Sequence, residues 1–206
     1  MASRIFLLSP AQSGGPRAQL LLNPGASFDL ARRMRGPGGA PIGEVFSFLS
    51  GLYFRGKLAY AEAFARPPRG APGVLVITPG AGLLPADTPI DGACLSAFAG
   101  VPIDAGERRY LEPLLRDALG VAGHGRGRVE IVLLGSIASG KYVEPLLSVF
   151  GERLLFPSAF VGRGDMSRGG LMLRCVDAGL ELDYVPVAGA SRHGLRPPRL
   201  PPKGRK

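Results

Sequence analysis

A glycine-rich loop between an apolar run and a helical pattern has the composition of a phosphate-binding site. Residues 135–141 read GSIASGK, which fits the pattern G-x-x-x-x-G-K. Tyr142 follows where a nucleotide hydrolase needs Ser or Thr for magnesium, and too little chain remains for the rest of such a fold. We therefore expect a cradle for a DNA or nucleotide phosphate, formed by Ser136, Ser139 and Lys141. The alternative is a tight strand-to-helix turn with one solvated lysine.

A second segment, residues 156–170, combines flexible backbone with cationic side chains. Its four glycines let the backbone approach a phosphate closely, and arginine offers forked donors to it. The side chains that we expect to hold phosphate here are Ser158, Arg163, Ser167 and Arg168. Asp165 is the only acid of the segment. It is either a structural ion-pair partner or a catalytic carboxylate that neighbouring arginines keep ionised beside a polyanion.

Aromatic and basic residues alternate in residues 49–60. This mixture suits stacking on bases and pairing with phosphates, which points to Tyr53, Arg55 and Lys57. The alternative is an ordinary amphipathic helix, and we assign Phe54 and Tyr60 to its buried face.

Two side-chain amides lie near the ends of early apolar runs. Asn23, the only asparagine of the chain, precedes Pro24-Gly25, and Gln12 follows a first apolar run that ends at Ser9. Each amide is a candidate for reading a base edge or positioning water. For Asn23 the alternative is simple turn chemistry before proline.

Several kinds of site are excluded by the count of ligands. The chain has two cysteines, Cys94 and Cys175, and two histidines, His124 and His193. Four-ligand zinc sites and cysteine-ligated iron–sulfur clusters are therefore excluded within one chain, and a Ser-His-Asp triad is disfavoured. We expect no metal and no cofactor.

The charge balance points to a polyanionic partner. The 206 residues carry a formal net charge of +9, of which residues 192–206 contribute six charges and no acid. We expect DNA to be the partner. No apolar stretch reaches the about 18 residues of a membrane span, and the first residues lack the features of a signal peptide. These patterns predict a cytoplasmic monomer without membrane contact.

The elements that must position these side chains follow from the apolar runs. Strand-sized runs at residues 5–9, 74–78, 129–134 and 153–156 alternate with helical patterns, the longest over residues 45–64. This alternation predicts an α/β fold, a three-layer sandwich with a mostly parallel central sheet. Ligands of such folds lie beyond the carboxyl ends of the strands. We expect one domain over residues 1–188 and a flexible, basic Pro/Arg-rich tail over residues 189–206.

Three segments resemble known protein families. Residues 50–62, SGLYFRGKLAYAE, and residues 76–87, VITPGAGLLPAD, resemble a group of small bacterial and archaeal domains that includes a domain of archaeosine synthase. That group is similar to the uracil-DNA glycosylase superfamily. Residues 7–11, LLSPA, resemble the start of the YaaA peroxide-stress family. Together these resemblances imply a uracil-DNA-glycosylase-like fold.

A further segment resembles the DNA-binding loop of the glycosylases themselves. Phe156-Pro157-Ser158 followed by Arg163-Gly164 is similar to the family's "HPSPLS…RG" loop, with Phe156 in place of the catalytic histidine. The resemblance implies a DNA glycosylase that flips out and excises an unusual or modified base, with defence against phage as one context. The expected catalytic residues are Asp165 and Asn23. The expected base pocket consists of Ser9, Gln12, Tyr53 and Phe156.

Two other functions stay open on the sequence. One is a non-enzymatic, YaaA-like DNA-binding stress protein, which predicts binding without base release. The other is a hydrolase or transferase that acts on free nucleosides or nucleotides, which predicts activity that survives deletion of the basic tail.

Overall fold

The computed structural model describes residues 2–138, 140–198 and 200. Their main sheet consists of six strands: β1 (Arg4–Leu8), β3 (Val74–Ile77), β4 (Leu83–Pro85), β6 (Glu130–Leu134), β7 (Leu154–Pro157) and β8 (Tyr184–Pro186). Their order in the sheet is β4-β3-β1-β6-β7-β8. The four central strands are parallel, and β4 and β8 run antiparallel at the two edges. A separate antiparallel pair joins β2 (Ala40–Pro41) to β5 (Pro89–Ile90).

Helices cover both faces of this sheet. Those on one face are α1 (Pro16–Leu22), α2 (Asp29–Arg35), α3 (Ile42–Ser50), α4 (Leu52–Phe64), α5 (Gly92–Ala99) and α8 (Asp165–Ala178), and those on the other are α6 (Arg108–Ala122) and α7 (Gly140–Phe150). Alternate residues of β1 divide between the two cores: Phe6 and Leu8 pack towards α4, and Ile5 and Leu7 towards α6. The expected α/β sandwich with a mostly parallel sheet is thus confirmed.

The long helical pattern over residues 45–64 is divided into two helices at Gly51. This residue has φ 62° and ψ −128°, a conformation that side chains other than glycine rarely adopt, and it ends α3 and begins α4. The break lets α4 follow its own direction across the sheet.

A close crossing joins α4 to α8. A Cβ atom at Gly56 would lie 2.6 Å from the carbonyl oxygen of Gly169, and one at Gly169 would lie 2.7 Å from the carbonyl oxygen of Leu52. Two glycines therefore let the backbones touch. This contact places the first turns of α4 beside the first turn of α8.

The described part of the tail contacts the domain. Arg192 forms an ion pair with Glu144 at 2.6 Å, and a Cβ atom at Gly162 would collide with the backbone of Leu195. In the described ranges, no helix combines the length and apolarity that crossing a bilayer requires.

Candidate functional site

The strand connections diverge between β1 and β6. The chain leaves β1 towards β3 on one side and leaves β6 towards β7 on the other, so the connections diverge at this pair. Ligands of open parallel sheets bind at such a point, beyond the carboxyl ends of the strands. The two loops touch here: a Cβ atom at Gly135 would lie 2.9 Å from the Cβ of Ser9.

The buried amine of Lys57 lies at this point. Lys57 on α4 is 1% exposed, and its Nζ donates to the carbonyl oxygen of Ser9 at 2.5 Å and to the Ser9 Oγ at 2.9 Å. The rings of Tyr53 and Phe54 flank the amine, with centroids 4.5 and 4.6 Å from Nζ. A residue at the end of β1 is thus joined to α4 by two hydrogen bonds.

The surroundings favour an uncharged amine. Burial lowers the pKa of Lys57 to about 7, and the negative charge of Asp165 opposes this change only in part. The two bonds of Nζ go to neutral oxygens of Ser9. Burial therefore shifts Lys57 towards its uncharged amine, which is the nucleophilic and basic form.

Tyr53 adds a second buried polar group. Its hydroxyl has no hydrogen-bond partner of normal geometry among the described residues. Burial raises the pKa of Tyr53, while the positive charge of Arg168 opposes the change. The phenol is therefore neutral beside the amine.

Asp165 brings a carboxylate to the solvent side of this cluster. It is the first residue of α8, is 63% exposed, and pairs with Arg168 Nη1 at 3.4 Å. Arg168 is only 11% exposed, donates to the carbonyl oxygen of Phe160 at 3.1 and 3.2 Å, and stacks over that ring. Since these bonds turn Arg168 inward, it positions Asp165 and the loop before α8.

A small cavity beside α8 gathers cationic groups. It measures about 340 Å³, and Arg163, Ser167 and the tail residue Arg196 contribute to its wall. Arg163 also donates to the carbonyl oxygen of Ala159 at 3.0 Å and to the Ser167 Oγ at 3.3 Å. Ser158 is not part of this cavity, and its backbone N–H donates to the carbonyl oxygen of Asp183. Two of the expected phosphate-binding residues, Arg163 and Ser167, therefore lie in one cavity. Arg196 lies there too, although the sequence pattern did not indicate it as a phosphate-binding residue.

The loop before α7 is a turn with a local hydrogen bond. Ser136 Oγ accepts from the N–H of Ala138 at 3.3 Å, and the Nζ of Lys141 lies 5.3 Å from the centroid of the Tyr142 ring. Ser139 lies outside the described residues. Ser136 and Lys141 stay candidates for phosphate contact.

The four residues expected to form the base pocket are divided among separate places. Ser9 and Tyr53 surround Lys57, whereas Gln12 is exposed in a cavity of about 230 Å³ between the loops after β1 and β3. Phe156 is 1% exposed and packs in the core beneath α6 and α7. Burial on a central strand explains its position, since alternate residues of β7 face that core.

Two other candidates lie away from the Lys57 amine. Asn23 ends α1, and its Oδ1 accepts from the N–H of Gly25 at 2.9 Å, which is the turn chemistry weighed for it. Arg55 is exposed in a groove of about 910 Å³ whose wall includes the stacked rings of Phe28 and Phe48. Neither residue shares a hydrogen bond that the structure describes with Lys57 or Asp165.

Sequence reasoning missed the burial of Lys57, although a signal was present. Residue 57 follows Tyr53 and Phe54 by four and three positions and precedes Tyr60 by three, so it falls on the apolar face of the helix. A lysine on that face indicates either a satisfied internal group or a functional amine.

Comparisons of the chain with protein-family models, with curated proteins and with solved structures gave no match. Within residues 2–138, 140–198 and 200, no group of three or more His, Cys, Asp and Glu side chains could hold a metal ion. The site is therefore interpreted from its own geometry.

Proposed function

We propose that this protein is a DNA glycosylase or a closely related base-processing enzyme, which flips a nucleotide out of DNA and cleaves the bond between base and sugar. The observation that carries the proposal is the cluster of Ser9, Tyr53, Lys57 and Asp165 at the point where the strand connections diverge. Such a cluster places acid–base groups where folds of this class bind ligands.

The role of Asp165 follows from the charge that develops in the reaction. As the bond to the base breaks, positive charge accumulates on the sugar, and a carboxylate beside it stabilises that charge or orients water. Asp165 is exposed, and it pairs with Arg168 on the solvent side of the cluster. The proposal rests on Asp165 rather than on Asn23, because the Asn23 oxygen already accepts the Gly25 N–H.

The cavity beside α8 supports DNA as the substrate. Arg163 and Arg196 place two guanidinium groups next to the same helix start that carries Asp165. Guanidinium groups bind phosphate through paired donors. A flanking DNA phosphate held there brings the sugar of a flipped nucleotide towards Asp165.

The test is release of a base by the purified full chain. Phage DNAs that carry modified bases, and plasmid DNA, are incubated with the protein, and abasic sites are counted with an aldehyde-reactive probe. We expect abasic sites in at least one DNA, and a reduction of about 100-fold or more with Asp165→Asn.

The matched control is Asp29→Asn. Asp29 also begins a helix and pairs with an arginine three residues later, Arg32, at 3.8 Å. It should leave base release unchanged. The absence of abasic sites in every DNA, or equal effects of the two substitutions, would contradict the proposal.

A DNA-binding protein without chemistry is the second candidate, and the burial of the cluster favours it. Lys57 and Ser9 are 1% and 4% exposed, so a substrate reaches them only after local opening. This candidate predicts strongly salt-dependent DNA binding with no abasic sites in the same assay.

A further inference from the structure

The amine of Lys57 is arranged as a nucleophile. A neutral amine has two hydrogens and one lone pair, and Nζ has two acceptors on Ser9, the carbonyl oxygen and Oγ. Both hydrogens are thereby directed to one side, and the lone pair is left for another atom. Lys57 is 1% exposed between the rings of Tyr53 and Phe54, so the amine is desolvated, which is how lysines are activated for attack on carbonyl carbons.

We propose that Lys57 is the catalytic nucleophile of this site and forms an imine with C1′ of a deoxyribose in DNA. The inference rests on the proposed function, since it specifies how the bond to the base is broken. It also extends that function, because an enzyme that forms this imine acts on abasic DNA as well as on a modified base.

The reaction needs only Lys57, Asp165 and water. The lone pair of Nζ attacks C1′, the bond from C1′ to the base breaks, and the base leaves with that electron pair and takes one proton from the new ammonium. The remaining nitrogen lone pair then forms the C1′=N bond while the C1′–O4′ bond breaks. O4′ takes a proton, which Asp165 relays from solvent. Water finally hydrolyses the iminium ion, which releases an aldehyde at C1′, the amine of Lys57 and one proton, which returns to solvent in place of the proton taken by O4′.

Access to the amine requires movement of a neighbouring segment. The charge of Asp165 acts on Lys57, so the first turn of α8 lies near the amine. That turn begins at Asp165, after Gly164 as an N-cap without a side chain, and its second residue, Met166, is 65% exposed. Helix ends fray more readily than helix interiors, so this first turn is the segment whose opening would expose the amine. The low pKa of Lys57 agrees with this role, since the amine needs no deprotonation on arrival of the substrate.

The experiment uses an oligonucleotide with one abasic site, in single-stranded and duplex form. The aldehyde of an abasic site reacts with an amine directly, so imine formation is measured without any need for base release. The full chain is mixed with it and reduced with sodium borohydride, which converts an imine into a stable protein–DNA adduct. We expect an adduct from the unchanged protein, a reduction of at least tenfold with Lys57→Met, and a change of less than twofold with the control Arg69→Met, which removes an exposed cation from the loop before β3 at the opposite edge of the sheet. Circular dichroism of each variant shows whether it is folded.

Peptide mapping of the adduct from the unchanged protein identifies the residue that is bound to the DNA, without the use of a variant. An adduct on Lys57 supports the inference, whereas one on the amino terminus or on another lysine, or no adduct, overturns it. Base release from phage DNA without a trapped adduct overturns the inference and keeps the proposed function. An adduct on Lys57 without base release from any DNA supports the nucleophile and overturns the glycosylase function.

Discussion

Lys57 places an amine where water does not reach it. Transfer of a charged ammonium group into a protein interior costs several kcal/mol, and the usual remedy is a carboxylate partner. Here the amine instead donates to the neutral oxygens of Ser9, so the fold tolerates it by favouring its uncharged form. We therefore expect Lys57 to contribute to the pH dependence of the protein's stability.

The substitution Lys57→Met tests that dependence. The pKa of Lys57 is about 7 in the folded protein and about 10.4 in an unfolded chain, so between pH 7 and 8.5 the folded protein loses the proton while the unfolded chain keeps it. The free energy of unfolding should then rise with pH, by about 1–2 kcal/mol over this range, and Lys57→Met should remove the rise.

Urea denaturation of both proteins across this range measures the effect. Lys141→Met is the control, since Lys141 is half-buried beside Tyr142 and should retain the slope of the unchanged protein. Parallel pH profiles for Lys57→Met and the unchanged protein would show that the amine is charged when folded.

At the scale of elements, the site depends on the contact between α4 and α8. Tyr53 and Lys57 come from α4, Asp165 comes from α8, and the two helices touch through Gly56 and Gly169. The apolar runs of the sequence predict the central strands because burial dictates their composition. They do not predict the crossing, because which two glycines meet is decided by tertiary packing. For the same reason the sequence suggested Asp165 as a catalytic residue but not its proximity to Lys57.

Gly169→Ala should separate these helices. Its Cβ would lie 2.7 Å from the Leu52 carbonyl oxygen and 2.9 Å from the Tyr53 Cα, and backbone atoms cannot yield as a flexible side chain does. We expect a loss of about 1–3 kcal/mol of stability, which lowers the melting temperature by several degrees.

The neighbouring residue supplies the control for this prediction. A Cβ at Gly170 would meet the Leu200 Cδ1 at an ordinary 3.6 Å, so Gly170→Ala should be neutral or stabilise α8 by up to about 1 kcal/mol. Calorimetry of both variants measures the difference. Equal melting temperatures would show that the crossing is looser than described.

At the scale of the whole molecule, charge is distributed unevenly along the chain. Residues 192–206 carry six of the nine net positive charges, and the described part of this segment lies against the loop after β7 and against α7. The start of the tail therefore lies at the same edge of the sheet as the Lys57 cluster. If DNA binds at this edge, the positive charges of the tail contact further phosphates of the DNA, beyond those next to the Lys57 cluster.

Replacement of Lys203, Arg205 and Lys206 by glutamine tests this arrangement. Each phosphate contact releases counterions, so the slope of log affinity against log salt concentration should become shallower by up to about 3, and affinity for any DNA sequence should fall at low salt.

The control is the pair Arg69→Gln and Arg128→Gln, exposed residues in the loops before β3 and β6, at the opposite edge of the sheet. Fluorescence anisotropy titrations from 50 to 300 mM salt, roughly the range where counterion release dominates, measure both slopes. If only the folded edge contacts phosphate, the tail variant will keep the slope of the unchanged protein. If contacts are spread over the whole surface, the control will change as much as the tail variant. A shallower slope for the tail variant alone therefore indicates that DNA runs over the carboxyl edge of the sheet and the tail.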